Sequence, residues 1–369
     1  MGAKVDVLFR KSYNFGIFVI DIVYKNKLKN IVIDNFFEKE NLRYAMIGSG
    51  SWATALVKLL LNNQQEISWY VRDDEMIDHI RQTGHNPYYL TAVQFDTNRI
   101  KLSSDINETI RSADVLLFCI PSAYFMAEVS KIDTSLNDKF IITAIKGIVP
   151  GDNITVAEYF NHIHNIAFDR IGVISGPCHA EEVAMERLSY LTLSSKHKEV
   201  AISLCDVFAC NYIKTVPGTD IYGVEYAAVL KNIYAIAAGV CHSLSYGDNF
   251  MAVLITSSFH EMRDFLHASH PDRTRKTSKS AYLGDLLVTC YSQFSRNRTF
   301  GSMIGKGYSV KSAQVETNMV AEGYYGAKCI YEMNKKYGVD MPIAEAVYKI
   351  LYEEKYPAYI IKQLTEKLQ

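Results

Sequence analysis

The seven cysteines of this chain, Cys119, Cys178, Cys205, Cys210, Cys241, Cys290 and Cys329, are scattered singly and never form a CxxC pair. That absence argues against a zinc or disulfide framework and predicts reduced thiols in a cytoplasmic protein. Histidine offers no metal site either: His162 and His164 lack a third ligand at useful spacing and are expected to cap a surface helix. Charge of one sign is also missing. The formal net charge is -1, so no broad field exists to hold nucleic acid or anionic lipid, and any anionic ligand must meet a local cluster. Internal repeats and low-complexity segments are absent as well.

Two apolar runs need testing against a membrane. Residues 15–24 are too few to span, are interrupted by Asp21 and carry no small-residue cleavage site, so secretion is not expected. Residues 224–241 have the length of a span, but Glu225, Lys231 and Asn232 would be costly in hydrocarbon and the flanks have no basic asymmetry. The run reads as a buried core helix, and membrane insertion is not expected.

What the chain does have is the composition of a soluble globular protein, 49% hydrophobic and 21% charged, and a length of 369 residues that predicts two domains. Residues 1–42 hold two β-rich runs, 15–24 and 30–37, around a polar 25–29, which suggests a hairpin extension of no evident function. From Leu42 the pattern becomes regular. Short apolar runs at 44–47, 67–71, 114–120, 140–145, 171–174 and 190–193 have strand length and alternate with helical segments such as 52–61, 75–81 and 180–185. Repeated strand then helix means βαβ units and a largely parallel sheet. After Pro217 and Gly218 the strands stop, and 223–243, 252–266, 310–319, 323–337 and 343–352 read as successive helices. The expected fold is therefore α/β plus all-α: an extension over 1–42, a Rossmann-type dinucleotide-binding domain over 43–218, and an all-helical substrate domain over 219–369. A cleft between the two halves is the natural place for a ligand.

The chemistry concentrates at the strand ends. Residues 44–47 lead into Gly48-Ser-Gly50-Ser51-Trp52-Ala53 and then a helical run, the order a dinucleotide fold requires. Gly48 makes the tight turn, Gly50 lets the backbone approach a pyrophosphate, and Ala53 permits close helix packing, with the phosphates at the helix N-terminus. Arg72 ends the second strand where an NAD-specific site usually has a carboxylate, which argues that a 2′-phosphate is tolerated. The competing reading pairs Arg72 with an acid in Asp73-Asp74-Glu75. Lys146, with Gly147 behind it, and Ser175-Gly176-Pro177-Cys178 close two further strands facing the same crevice.

Lys231 lies in the long apolar run, where a buried ammonium must be paired, shifted in pKa, or used. It is either a base or a structural lysine whose stem packs while its head reaches water or Glu225. Further on, Gly284-Asp285 and Thr289 precede Ser295-Arg296-Asn297-Arg298. Arginine's planar fork can grip a phosphate in bidentate fashion and serine and asparagine add neutral donors, so the segment suggests a phosphate cradle. A helix-capping turn is the alternative.

Taken together these motifs resemble the NAD(P)-dependent glycerol-3-phosphate dehydrogenase family, over about residues 42–356. The resemblance implies a helical domain of the 6-phosphogluconate dehydrogenase C-terminal type, and NAD or NADP as cofactor. It implies cofactor contacts at Gly48 to Ala53, Arg72, Pro121 beside Ser122, Lys146, Ala180, Arg296, Val320 and Glu322. It places Lys146, Gly176, Cys178, Lys231, Asn232, Asp285, Thr289, Ser295, Arg296 and Asn297 in the substrate site. Lys231 becomes the proton acceptor, with Asp285 orienting it and Lys146 also in a catalytic role. The implied reaction is reversible hydride transfer between sn-glycerol 3-phosphate and dihydroxyacetone phosphate, supplying glycerophospholipid synthesis, in a cytoplasmic protein expected to be a homodimer. The chain departs from the family at Cys178, usually a hydroxyl residue, and at Tyr282, where glycine is common; residues 1–42 have no counterpart. Two other readings compete: a β-hydroxyacid dehydrogenase of the same two-domain build, and a non-catalytic nucleotide sensor.

Overall fold

The computed structural model describes residues 36–317 and 320–368. The expected hairpin lies outside the described residues except at Phe36 and Phe37, which belong to a 3-10 turn, Phe36–Glu38, and not to a strand. Lys39–Gln369 forms one compact unit.

Eight strands make one sheet: β1 Tyr44–Ile47, β2 Ile67–Tyr70, β3 Ile100–Ser103, β4 Val115–Phe118, β5 Phe140–Thr143, β6 Ile171–Ser175, β7 Ser189–Ser195 and β8 Ile213–Gly218. Their spatial order is β3-β2-β1-β4-β5-β6-β7-β8. Pairing is parallel throughout except between β6 and β7, where Gly172 faces Ser195 and Ser175 faces Thr192. Tyr44 is in register with Ile67 on one side and Val115 on the other, so the order reverses at β1. Strands wound outward in both directions from such a point open a crevice at their carboxyl ends, and the glycine turn after β1 lies there. β1, β2, β4 and β5 are buried on both faces, which is why they read as continuous apolar runs in the sequence.

Two strands went unread, β3 and β8, and they are the two edges of the sheet. Both are part-exposed, and β8 carries Pro217, which lacks the N–H an inner ladder needs. Three helices, Ile106–Arg111, Ser122–Val129 and Lys198–Phe208, were also not foreseen, whereas the surface helix expected at His162 and His164 is Val156–His164. His162 and His164 fall in the last turn of Val156–His164.

Beyond Gly218 every described element is helical. The helix Ile221–Ser243 is the axis of that half, buried along one whole eighteen-residue window. It is long and apolar enough to cross a membrane by length and composition, but here it is the core around which the others pack. The helix Arg296–Gly305 crosses it at glycine: a Cβ on Gly239 would collide with the Arg298 carbonyl, and one on Gly301 with that of Ile236. This close approach sets the first turn of the second helix over the middle of the first.

Candidate active site

Among the described residues, a cleft of about 950 Å³ opens along the carboxyl ends of the strands and against the helix Ile221–Ser243. Its wall is built first by the glycine turn. Gly48 has φ +123°, and a Cβ there would strike the Cys119 carbonyl oxygen, so only glycine closes this turn without strain. The turn is fastened from three sides: Trp69 Nε1 donates to Gly48 O at 2.7 Å, Asn86 Nδ2 to Ser49 O at 3.2 Å, and Thr54 Oγ1 to Gly50 O at 3.0 Å. Gly50 is the N-cap of the helix Ser51–Leu60 and supplies no capping side chain, and a Cβ on it would meet nothing within 4 Å. An open approach to an uncapped helix N-terminus suits a pyrophosphate. Gly48→Ala is expected to cost about 1–3 kcal/mol of stability and to weaken nucleotide binding sharply, as thermal unfolding and a fluorescence titration with NADH would record.

The helical half contributes a buried charged pair. Lys231 is 4% exposed and Asp285 1%, and they form a buried ion pair between Nζ and Oδ1. Burial pushes the Lys231 ammonium down to about 8, with Asp285 opposing that fall and Lys146 adding to it. The second Asp285 oxygen, Oδ2, is buried without a hydrogen-bond partner. Lys231 therefore pairs with Asp285 and not with Glu225, whose carboxylate accepts from Ala157 N at 3.2 Å. Thr289 Oγ1 donates to Asp285 O at 2.6 Å, and Asn232 Nδ2 donates to Lys146 O at 3.1 Å. Asn232 thus holds the β5 loop in place. Lys146 lies over the Trp52 ring, its Nζ 5.2 Å from the centroid.

The Ser295–Asn297 segment satisfies both readings of it. Ser295 caps the helix Arg296–Gly305 by accepting from Arg298 N, while Arg296 and Asn297 line the cleft. Asn297 Oδ1 accepts from Gly323 N at 2.9 Å, and among the described residues the ion partner of Arg296 is a loose one, Glu181, at 3.9 Å. Glu322 accepts from Ser122 N at 2.8 Å and from the Ser122 hydroxyl, tying the helix Glu322–Tyr337 to the strand end at Pro121. Burial pushes its carboxyl up.

The cleft lining thus brings together Gly50, Ser51, Trp52, Ala53, Pro121, Lys146, Cys178, Ala180, Lys231, Asn232, Asp285, Thr289, Ser295, Arg296, Asn297, Val320 and Glu322. It leaves out three expected residues. Gly48 stands behind the turn, Gly176 is packed under Tyr190, where a Cβ would lie 2.7 Å from its carbonyl oxygen, and Arg72 is 67% exposed beyond β2. Arg72 also pairs with Glu128, at 3.6 Å, and not with an acid of 73–75. Cys178 lines the cleft, but its Sγ donates to Tyr190 O at 3.1 Å and burial pushes the thiol up to about 12, so its proton is committed. Tyr282 needs no glycine: its φ is not positive, and its hydroxyl donates to Asp220 at 2.5 Å. His179, Glu181, Val288 and Phe294 line the cleft unforeseen. Burial, with Lys231 and Lys146, pushes the His179 imidazole down to about 4, so it is neutral. No three His, Cys, Asp or Glu side chains converge as a metal site among the described residues.

Comparison with known proteins agrees with this geometry. Residues 43–201 match the NAD-dependent glycerol-3-phosphate dehydrogenase N-terminus and residues 220–362 the C-terminus of the same family. The glycerol-3-phosphate dehydrogenase [NAD(P)+] of Halothermothrix orenii is 33% identical over 87% of this chain and 94% of its own. That of Staphylococcus aureus is 34% identical over 88% of this chain and 98% of its own. The crystal structure of glycerol-3-phosphate dehydrogenase from Coxiella burnetii superposes with a TM-score of 0.80 at 28% identity, covering 88% of this chain and 99% of that one.

Proposed function

The chain belongs to the NAD-dependent glycerol-3-phosphate dehydrogenase family, and we propose that it interconverts sn-glycerol 3-phosphate and dihydroxyacetone phosphate with Lys231 as the proton carrier. The observation that carries the assignment of roles is the buried Lys231–Asp285 pair inside the nucleotide cleft. The bound NAD(P) supplies the hydride acceptor or donor. Everything else falls to the chain's own residues. Lys231, neutral above about 8, takes the C2 hydroxyl proton in oxidation and returns it in reduction. Asp285 fixes the direction of the amine through Oδ1, and its unpartnered Oδ2 can accept from a further substrate hydroxyl. Arg296 and the Asn297 amide grip the phosphate so that C2 faces the nicotinamide, and Lys146 adds positive charge beside them. A sensor would need no proton acceptor. A β-hydroxyacid could use Arg296, but the family match favours the phosphorylated substrate.

We further assign the cofactor site to residues 43–218 and the substrate groups mainly to 219–369. A cytoplasmic homodimer is proposed for the assembly; the seven free thiols support the compartment.

The pKa of Lys231 sets the sign of the pH response. Oxidation needs the neutral amine, so kcat/KM for glycerol 3-phosphate should rise with pH and level off above about 8; reduction needs the ammonium and should fall above the same value. Profiles that do not cross in this way would remove Lys231 from the proton path.

A further inference from the structure

Cofactor choice at this site turns on an acid that comes from the wrong place in the chain. β2 ends at Tyr70, whose carbonyl accepts from Gly48 N at 3.3 Å, so its carboxyl end borders the phosphate turn. The position that follows offers Arg72. Asp73 cannot stand in for a ribose-binding acid, because its Oδ1 accepts from Glu75 N and Met76 N as the cap of the helix Asp74–Thr83. A carboxylate nevertheless reaches this strand end, from the last turn of the helix Ser122–Val129. Glu128 is 4% exposed, and its Oε2 accepts from the Tyr70 hydroxyl at 2.6 Å and from Lys131 Nζ at 2.8 Å. Its Oε1 lies 3.6 Å from Arg72 Nη1. Burial opposes the charge, but the bonds from Lys131 and Tyr70 outweigh it and hold the carboxyl below its usual range. Glu128 is thus a fixed anion at neutral pH.

We propose that Glu128 is a specificity-determining residue that biases this protein toward the cofactor lacking a 2′-phosphate. It pairs with Arg72 and Lys131 and so offsets part of the positive charge that would greet such a phosphate. Any phosphate gripping that guanidinium must also sit within a Debye length of a buried carboxylate that cannot turn away. Arg72, exposed and beyond hydrogen-bond distance, still lets the phosphorylated form bind, so the bias is graded and not absolute. Two like charges at such a separation in a partly solvated site disfavour binding by about tenfold.

The inference rests on the dinucleotide reading of the glycine turn but not on the substrate, so it is tested by binding alone. Fluorescence titration of NADH and NADPH into the full chain should give an affinity ratio of about ten in favour of NADH. Glu128→Gln, which keeps an acceptor for Tyr70, should narrow that ratio by tightening NADPH. Arg72→Ala, at an exposed position, should widen it by removing the cation that lets the phosphorylated form bind. Equal ratios in all three proteins, or a wild type that prefers NADPH, would overturn the proposal. Absence of binding by either nucleotide would overturn it together with the dinucleotide site. Intact binding without turnover of dihydroxyacetone phosphate would touch only the substrate assignment.

Discussion

Lys231→Ala is expected to lower kcat in both directions by about 10³-fold while NADH still binds nearly as tightly as to the wild type. The described cleft offers no other ready carrier: burial pushes the His179 imidazole down to about 4 and leaves it neutral, the Cys178 thiol stays protonated and donates to the Tyr190 carbonyl oxygen, and Lys146 lies over the Trp52 ring. Cofactor affinity survives because the glycine turn and the helix N-terminus belong to the other half of the cleft. The substitution also strands Asp285 at 1% exposure, and an unpaired buried carboxylate costs about 3–5 kcal/mol. The activity loss must therefore be separated from a folding loss. The double variant Lys231→Ala with Asp285→Asn removes the stranded charge, so it should recover stability and remain inactive. Recovery of activity with stability would make Lys231 a structural lysine after all. Added primary amines should restore part of the rate to the single variant, since the missing group is an amine and the site keeps its shape.

Arg296→Ala carries the second large effect. Charge-assisted hydrogen bonds are worth about 1.5–3 kcal/mol each, and a bidentate grip on phosphate makes two, so kcat/KM for dihydroxyacetone phosphate should drop by about 10²–10⁴-fold. Arg296→Lys should recover only a small part, because an ammonium cannot present the planar fork. The loose 3.9 Å contact with Glu181 is too weak to compete with a phosphate, so Glu181→Gln should change this parameter little. The pattern to look for in Arg296→Ala is a raised KM together with a lowered kcat. A phosphate held less firmly also leaves C2 misaligned with the nicotinamide. A variant that lost affinity for NADH alone would move Arg296 out of the substrate site.

Much of this was legible before any coordinates, for reasons that differ by element. The six strands read from sequence are interior to the sheet, where burial on both faces leaves unbroken apolar runs such as Tyr44–Ile47 and Phe140–Thr143. The two that escaped, Ile100–Ser103 and Ile213–Gly218, are edges, where one flank is wet and Pro217 is tolerated. The glycine turn was readable because its strand and helix flank it in order. Lys231 was conspicuous as a charge in an apolar helix, yet its partner was not. Asp285 lies 54 positions away, and Glu225, six residues earlier on the same helix, was the nearer guess. Glu128 left no sequence signal at all. Its role depends on a helix after β4 packing beside the end of β2, which only the fold can show. Gly176 and Arg72 were named from their places at strand ends and again through the resemblance, yet lie outside the cleft lining, since neither signal tells which groups the strand ends turn inward.

The central claim, that this cleft reduces a phosphorylated ketone with Lys231 supplying the proton, is tested most directly by steady-state oxidation of NADH by the full chain. The substrates to compare are dihydroxyacetone phosphate and β-ketoacids, for the wild type and for Lys231→Ala. The predicted result is turnover of dihydroxyacetone phosphate alone, lost with Lys231. Turnover of a β-ketoacid in its place, or a Lys231→Ala variant with wild-type kcat, would contradict the account.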